Sequence, residues 1–277
     1  MKEFIADKPQ RLKEYTDNTY AQGSFFWNYL IKNREIRVNG KKVGEDILLS
    51  AGDKVAYYLP PAKEEKPAFY IVYEDDNVLV ADKESGVNSE AVFAALKRER
   101  ECFFLHRLDR NTSGLLVFAL KEEAEKELLA AFKERRIEKR YCALCFGKFG
   151  KEEGILTAYL KKDENKSFVR IYDAPTFGAE KIVTEYRAGE RSGEFTKTEI
   201  LLHTGKTHQI RAHLAHIGCP VAGDTKYGDK EKNRKYNLTR QCLIAKSLKF
   251  SLLGKLAYLN DLKFVSRFEL KIPCLPT

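Results

Sequence analysis

The sequence predicts an α+β fold: a large domain with a mixed, mostly antiparallel sheet flanked by helices, preceded by a small separate unit. Three observations predict it. Segments with strand-type alternation and segments with helix-type spacing follow one another with no regular strand–helix–strand rhythm. A continuous apolar run, Leu115 to Leu120, is bounded by polar segments and reads as a buried strand. A stretch with three prolines and a charge cluster, Leu59 to Pro67, divides the chain. The expected organisation is a unit over residues 1–60, a linker over 61–68 and a large domain over 69–277.

In the first unit, the NYLIKN segment reads as a short helix, followed by strands in which Ile36 and Val38 alternate with charged residues. Asn39-Gly40 supplies a tight hairpin turn, and Ala51-Gly52-Asp53 a second turn before the strand Lys54 to Tyr58. In the large domain, Phe69 to Lys83 reads as a hairpin turning at Glu74 to Asn77. A helix is expected over Ser89 to Arg100, with Ser89 as its cap and Val92, Phe93 and Leu96 on one side. Glu122 to Arg136 has acids leading, Leu128 and Phe132 four apart, and bases closing, as a helix requires. Arg140 to Phe146 and Phe195 to His203 read as strands, and Thr207 to Ile217 as a helix.

The chain has 277 residues, of which 43% are hydrophobic and 32% charged, a globular balance rather than a disordered one. Lys and Arg number 49 against 40 acids, and the net charge of +9 suits a polyanionic partner without demanding one. The first fifteen residues lack the apolar core of a secretory signal, and no apolar run approaches the length of a spanning helix. Cytoplasmic residence is therefore expected, with the six cysteines, Cys274 among them, as reduced thiols.

The chemistry is concentrated in FLHRLDRNTSGLLVFA, Phe104 to Ala119. Seven polar or charged side chains there lie between apolar flanks. Such a wedge needs a tight hydrogen-bond network or a ligand. A polar connector held by Asn111 and Ser113 turns would also satisfy it.

HRLDRNTSGLLVFA resembles the signature of the RluA-type pseudouridine synthases, His-Arg-Leu-Asp followed after two residues by Thr-Ser-Gly-Leu. IVYEDDNVLVADKESG, IEKRYCALCFG and TGKTHQIRAHLAHIGCPVAGDTKYG resemble further segments of that family, in its order. Two departures occur: Lys83-Glu84-Ser85-Gly86 stands where the family has Lys-Pro-x-Gly, and Gly205-Lys206-Thr207-His208 where it has Gly-Arg-Thr-His. Loss of the proline is expected to loosen a loop near the RNA, and Lys206 keeps the charge of Arg without its planar fork. LIKNREIRVNGKKV and the later AGDKV resemble an RNA-binding domain first recognised in a small-subunit ribosomal protein, with Gly23-Ser24-Phe25 and Arg34 departing from its pattern. A plain packing unit is the other reading of this segment.

The resemblance implies isomerisation of uridine to pseudouridine in structured RNA, with no cofactor and no metal. It places Asp109 at the catalytic aspartate, Tyr141 as proton acceptor from carbon 5 and Arg107 as the residue entering the space left by the flipped base. Arg211, at the edge of an Ile210, Leu214 and Ile217 stripe, is the expected charge partner of Asp109. His106, Lys206 and His208 are expected to contact substrate. Without the resemblance, Tyr141 reads as an aromatic core residue and Arg211 as a solvated helix-face arginine.

Other chemistries fit less well. Cys142 and Cys145 lie three apart on an expected strand and so face opposite sides, which disfavours zinc. His208, His213 and His216 lack a carboxylate to complete a metal set. Gly205-Lys206-Thr207 lacks the first glycine of a phosphate-binding loop. Ribosomal RNA is the expected partner and transfer RNA the alternative, with a non-catalytic RNA-binding or assembly protein as the competing class.

Overall fold

A computed structural model describes residues 1–163 and 168–272; Cys274 lies outside the described residues. The small unit is a four-stranded antiparallel sheet, ordered Lys2–Ile5, Lys54–Tyr57, Ile36–Val38 and Lys41–Val43. Helices Leu12–Thr19, Ala21–Phe25 and Trp27–Asn33 accompany it. Its core closes on Leu12, Leu30, Ile36, Leu49, Val55 and Tyr57, none of them exposed. Each such side chain contributes roughly 1.5–3 kcal/mol of burial. The hairpin turn falls on Asn39 and Gly40, both at positive φ (49° and 80°), as a two-residue turn requires. Arg34 ends its helix at φ 53°, a left-handed position where glycine would be unstrained.

The Leu59–Pro67 stretch is more than a tether. It contains the short helix Pro61–Glu64, and Tyr20 donates to the Glu64 carboxylate. Gln22 Nε2 reaches the carbonyls of Lys63 and Lys66. Phe25 joins the core of the large domain and meets Phe69 edge-on at 6.1 Å between ring centroids. Helix Ala21–Phe25 also packs on helix Ser89–Lys97 of the large domain. The small unit is thereby seated on the large one.

The large domain is organised on one eleven-stranded sheet. Its main path runs Phe168–Tyr172, Glu153–Asp163, Glu180–Ser192, Phe195–Leu202, Ile137–Phe146, Leu243–Phe250, Ser113–Ala119, Val78–Lys83 and Phe69–Glu74. Short strands Lys263–Val265 and Phe103–Phe104 flank it. Among the described residues, all its pairings are antiparallel except one, between Ser113–Ala119 and Leu243–Phe250. That single parallel contact makes the sheet mixed and sits at its middle. Gly114 makes it possible: a Cβ there would stand 2.3 Å from the Ala245 carbonyl oxygen, and its φ is +111°. The strands can therefore approach only without a side chain.

Three helices of the large domain differ from the sequence reading at their ends. The first helix begins at Ser89 behind Asn88, so Ser89 is not its cap. Its hydroxyl instead exchanges hydrogen bonds with the Leu108 backbone, donating to the carbonyl and accepting from the amide at 3.0 Å each. The second helix, Glu122–Lys133, stops short of Arg136 because Arg135 takes a left-handed conformation. The third starts at Gln209 rather than Thr207, since His208 is itself left-handed (φ 53°).

Candidate active site

The polar turn between Phe104 and Ser113 is satisfied by a network, as its composition demanded. Leu108 anchors it in the core at 4% exposure. From the neighbouring strand, Lys83 is fully buried and its Nζ donates to four carbonyls: Glu84 (3.0 Å), Val87 (2.9 Å), Arg110 (3.1 Å) and Thr112 (2.6 Å). Gly86 donates its amide to Arg110 O at 2.8 Å and Ser85 Oγ to Asn111 O at 2.9 Å. Gln241 Nε2 holds the Thr112 hydroxyl at 2.7 Å. The turn carrying Asp109 is thus cross-tied to the Lys83–Val87 loop. Glu84, standing where a proline was expected, donates its amide to Ala68 O at 2.9 Å. That bond, impossible for proline, ties the loop down instead of loosening it.

Asp109 faces helix Gln209–His216. Arg211 Nη1 donates to Asp109 Oδ2 at 2.6 Å. The same guanidinium grips a second acid in bidentate fashion, Nε to Asp224 Oδ2 at 2.7 Å and Nη2 to Asp224 Oδ1 at 2.9 Å. Side-chain exposure falls along the chain of charges from 23% at Asp109 through 7% at Arg211 to none at Asp224. Burial works against the Arg211 charge, but the two carboxylates outweigh it and raise its pKa. Burial likewise works against the Asp224 anion. Arg211 and the amides of Lys226 and Tyr227 (2.8 and 3.2 Å) outweigh it and hold that carboxyl below its ordinary value.

His208 Nε2 lies 4.0 Å from Asp109 Oδ1, and its Nδ1 is 2.9 Å from the Tyr227 hydroxyl. Tyr227 Oη also accepts the Val169 amide at 2.8 Å, and its ring lies 5.3 Å from the Arg211 guanidinium carbon. Burial lowers the His208 pKa, with the Asp109 charge pulling the other way.

Tyr141 is on strand Ile137–Phe146, and pleat alternation puts it on the face shared with Ala143 and Cys145. Leu144 and Phe146 point to the other face. The strand's register shifts beside Tyr141, where Arg140 pairs with Ser247 but Tyr141 with Ala245. This bulge re-aims the tyrosine next to the residue that Gly114 packs against. Burial raises the Tyr141 pKa, and the Asp109 charge raises it further, so Tyr141 is a neutral phenol within the field of that carboxylate.

The remaining expected residues separate. Arg107 is 68% exposed in its side chain and pairs with Glu90 at 2.8 Å, a surface contact worth at most about 1 kcal/mol. His106 turns toward the sheet: its Nε2 accepts the Val117 amide at 3.0 Å, and its ring packs on Phe132 at 4.7 Å. Burial and Lys139 lower its pKa to about 3. Lys206 extends to the Glu180 carboxylate. Asp224, Tyr227 and Lys83 carry much of the architecture, and sequence reasoning gave none of them a role.

Comparison with known proteins settles the lineage. Residues 65–216 match the family model described as RNA pseudouridylate synthase. The chain belongs to the RNA pseudouridylate synthase family. It is an RNA pseudouridine synthase, an isomerase. It is 34% identical over 229 residues to the ribosomal large subunit pseudouridine synthase C of Vibrio cholerae, covering 73% of this chain and 71% of that one. It is 34% identical over 253 residues to the enzyme of the same name from Escherichia coli, covering 80% and 78%. Among solved structures, the human RNA pseudouridylate synthase domain containing 1 protein superposes with a TM-score of 0.59 at 26% identity. That match covers 67% of this chain and 81% of the human one. The domain containing 4 protein has the same fold, with a TM-score of 0.58 at 21% identity. No helix among the described residues is long and apolar enough to cross a membrane.

Proposed function

We propose that this synthase isomerises uridine in large-subunit ribosomal RNA, in the cytoplasm, with Asp109 as its essential carboxylate. The observation that carries the chemistry is the Asp109–Arg211–Asp224 chain. A carboxylate bonded to a buried guanidinium at the open end of an ion network is fixed in direction, as a group acting on an electron-poor sugar centre must be. The names of the Vibrio cholerae and Escherichia coli relatives support the ribosomal target. The small unit over residues 1–60, joined through 61–68 to the catalytic domain over 69–277, supplies further RNA contact.

The reaction breaks the bond from ribose to nitrogen 1 of uracil, and the ring then turns and rejoins through carbon 5. Asp109 stabilises the anomeric carbon while it is electron-poor. Once the new carbon–carbon bond exists, carbon 5 must lose a proton and nitrogen 1 must gain one. Tyr141 is neutral, so it accepts the carbon 5 proton only by releasing its own. The Asp109 carboxylate, whose charge already acts on that phenol, is the nearby acceptor, and the proton it takes up passes through solvent to nitrogen 1, so that Asp109 and Tyr141 end as they began. Arg107 enters the vacated stack, giving up only its weak pair with Glu90. His208, held by Tyr227, orients the approach to Asp109.

The test is a map of pseudouridines in total RNA from cells with and without the gene. Loss of a site in large-subunit ribosomal RNA, restored by the wild-type gene, is the expected result. Loss confined to transfer RNA would overturn the ribosomal assignment.

A further inference from the structure

A concave site lies near the Asp109 cluster along the chain. It has a volume of about 770 Å³, within the roughly 300–1,000 Å³ range of ligand pockets. It lies between the Glu153–Asp163 and Phe168–Tyr172 strands, the loop after Tyr172, and Lys206-Thr207. Thr207, which lines it, immediately precedes His208 of the Asp109 cluster. Its lining holds four cations, Lys161, Lys162, Arg170 and Lys206, against two acids, Asp163 and Glu180.

Phe177 stands on its rim at 95% exposure, the most exposed of the large apolar side chains described. A scattered exposed apolar residue needs no explanation, but Phe177 is set differently. Its backbone is fixed: the Ala179 amide closes a turn onto Thr176 O at 2.9 Å, Gly178 takes φ +73°, and Lys161 Nζ donates to Phe177 O at 3.0 Å. The same Lys161 ammonium lies 5.9 Å from the ring centroid. On its other side the loop meets helix Gln209–His216 through a surface contact of Asp173 with His216 at 2.7 Å. An outward aromatic face on a hydrogen-bonded loop, beside clustered cations, is an arrangement that receives a nucleobase and its phosphates.

We infer that Phe177 is a stacking platform for an unpaired base of the RNA substrate next to the target uridine, with the surrounding cations meeting its phosphates. The inference rests on RNA as substrate and extends it by naming a second base-binding point. Phe177 is a binding residue and takes no part in the chemistry.

The experiment uses the full chain and two RNA probes. Trp27 is the only tryptophan, so Phe177→Trp in a Trp27→Phe background makes the introduced indole the sole tryptophan emitter. Its fluorescence is titrated with a twelve-residue oligouridylate, and quenching that saturates is expected. In parallel, Phe177→Ala is assayed on unmodified large-subunit ribosomal RNA transcribed in vitro. KM should rise on the order of tenfold, the loss of one stacked base, with kcat unchanged and Phe177→Trp restoring KM. No quenching, or a Phe177→Ala enzyme with wild-type KM, overturns the inference. Failure of the ribosomal reading is separately visible: the wild type would leave the transcript unmodified, while the oligouridylate titration still reports on stacking.

Discussion

Replacing Asp224 by Asn removes the charge from a carboxylate with no solvent exposure that makes two of Arg211's three bonds to acids. Breaking a buried ion pair by removing one partner costs about 3–5 kcal/mol, because the other charge stays buried. Asn keeps the shape and one oxygen for the Lys226 and Tyr227 amides, and Asp109 still pairs with the guanidinium. The cost should therefore fall near the lower end, about 3 kcal/mol. For a domain of this size that lowers Tm by roughly 6–10 °C. The functional effect is separate. Arg211 freed on one side no longer fixes Asp109 in direction, and displacement of a reacting group by about 1 Å costs on the order of 10²-fold in rate. Thermal unfolding and single-turnover pseudouridine formation measure the two. A variant with Tm within 2 °C, by an allowance of roughly 1 kcal/mol, and wild-type turnover would refute Asp224 as the residue that positions Arg211.

Burial lowers the Lys83 pKa from 10.5 to about 7, against the pull of the Asp109 charge. Because the folded value is the lower one, the unfolded chain holds the extra proton between those two values. This group's contribution to stability therefore rises with pH across that window, by up to about 1.4 kcal/mol per pH unit. Lys83→Met removes the slope, so urea titrations at about pH 7 and pH 8.5 should show the wild type gaining on the order of 1–2 kcal/mol more than the variant; equal gains would contradict it. Tyr141→Phe deletes one hydroxyl from a buried ring. It should lower single-turnover rate by roughly 10²–10⁴-fold while RNA affinity and Tm hold, and a rate within threefold of wild type, about 0.7 kcal/mol, would remove Tyr141 from the chemistry.

Periodicity made most of the fold legible. Leu115 to Leu120 and the Phe69 to Lys83 hairpin follow directly from apolar runs and turn residues, because burial of a strand writes itself locally. Helix starts were less legible. Ser89 has the chemistry of a cap, yet its hydroxyl is taken by Leu108, nineteen positions away in sequence. His208 ends up left-handed because of the cluster it joins, and no local pattern announces that.

In the site, Asp109 and Arg211 were legible as a pair because both lie in dense motifs and each needs a partner of opposite sign. Lys83 was not, since its partners are backbone carbonyls reached only after the 110–112 turn folds over it. Asp224 was passed over for a related reason. Its bidentate grip on Arg211 is a tertiary contact, although a lone acid in the Gly223-to-Gly228 turn, thirteen residues past a helical arginine, was a usable signal. His106 is a different case: its place in the motif suggested substrate, and its bond to the Val117 amide, eleven residues on, could not be read from the motif.

The central claim is that Asp109 performs the reaction, and the fold makes its removal a clean test. Without the Asp109 charge, Arg211 remains held by Asp224 at 2.7 and 2.9 Å, so the variant keeps its buried ion pair and its fold. Purified Asp109→Asn should bind unmodified large-subunit ribosomal RNA as the wild type does, melt within about 3 °C of it, and form no pseudouridine in a single-turnover assay. Pseudouridine formed at the wild-type rate by that folded, RNA-binding variant would contradict the account.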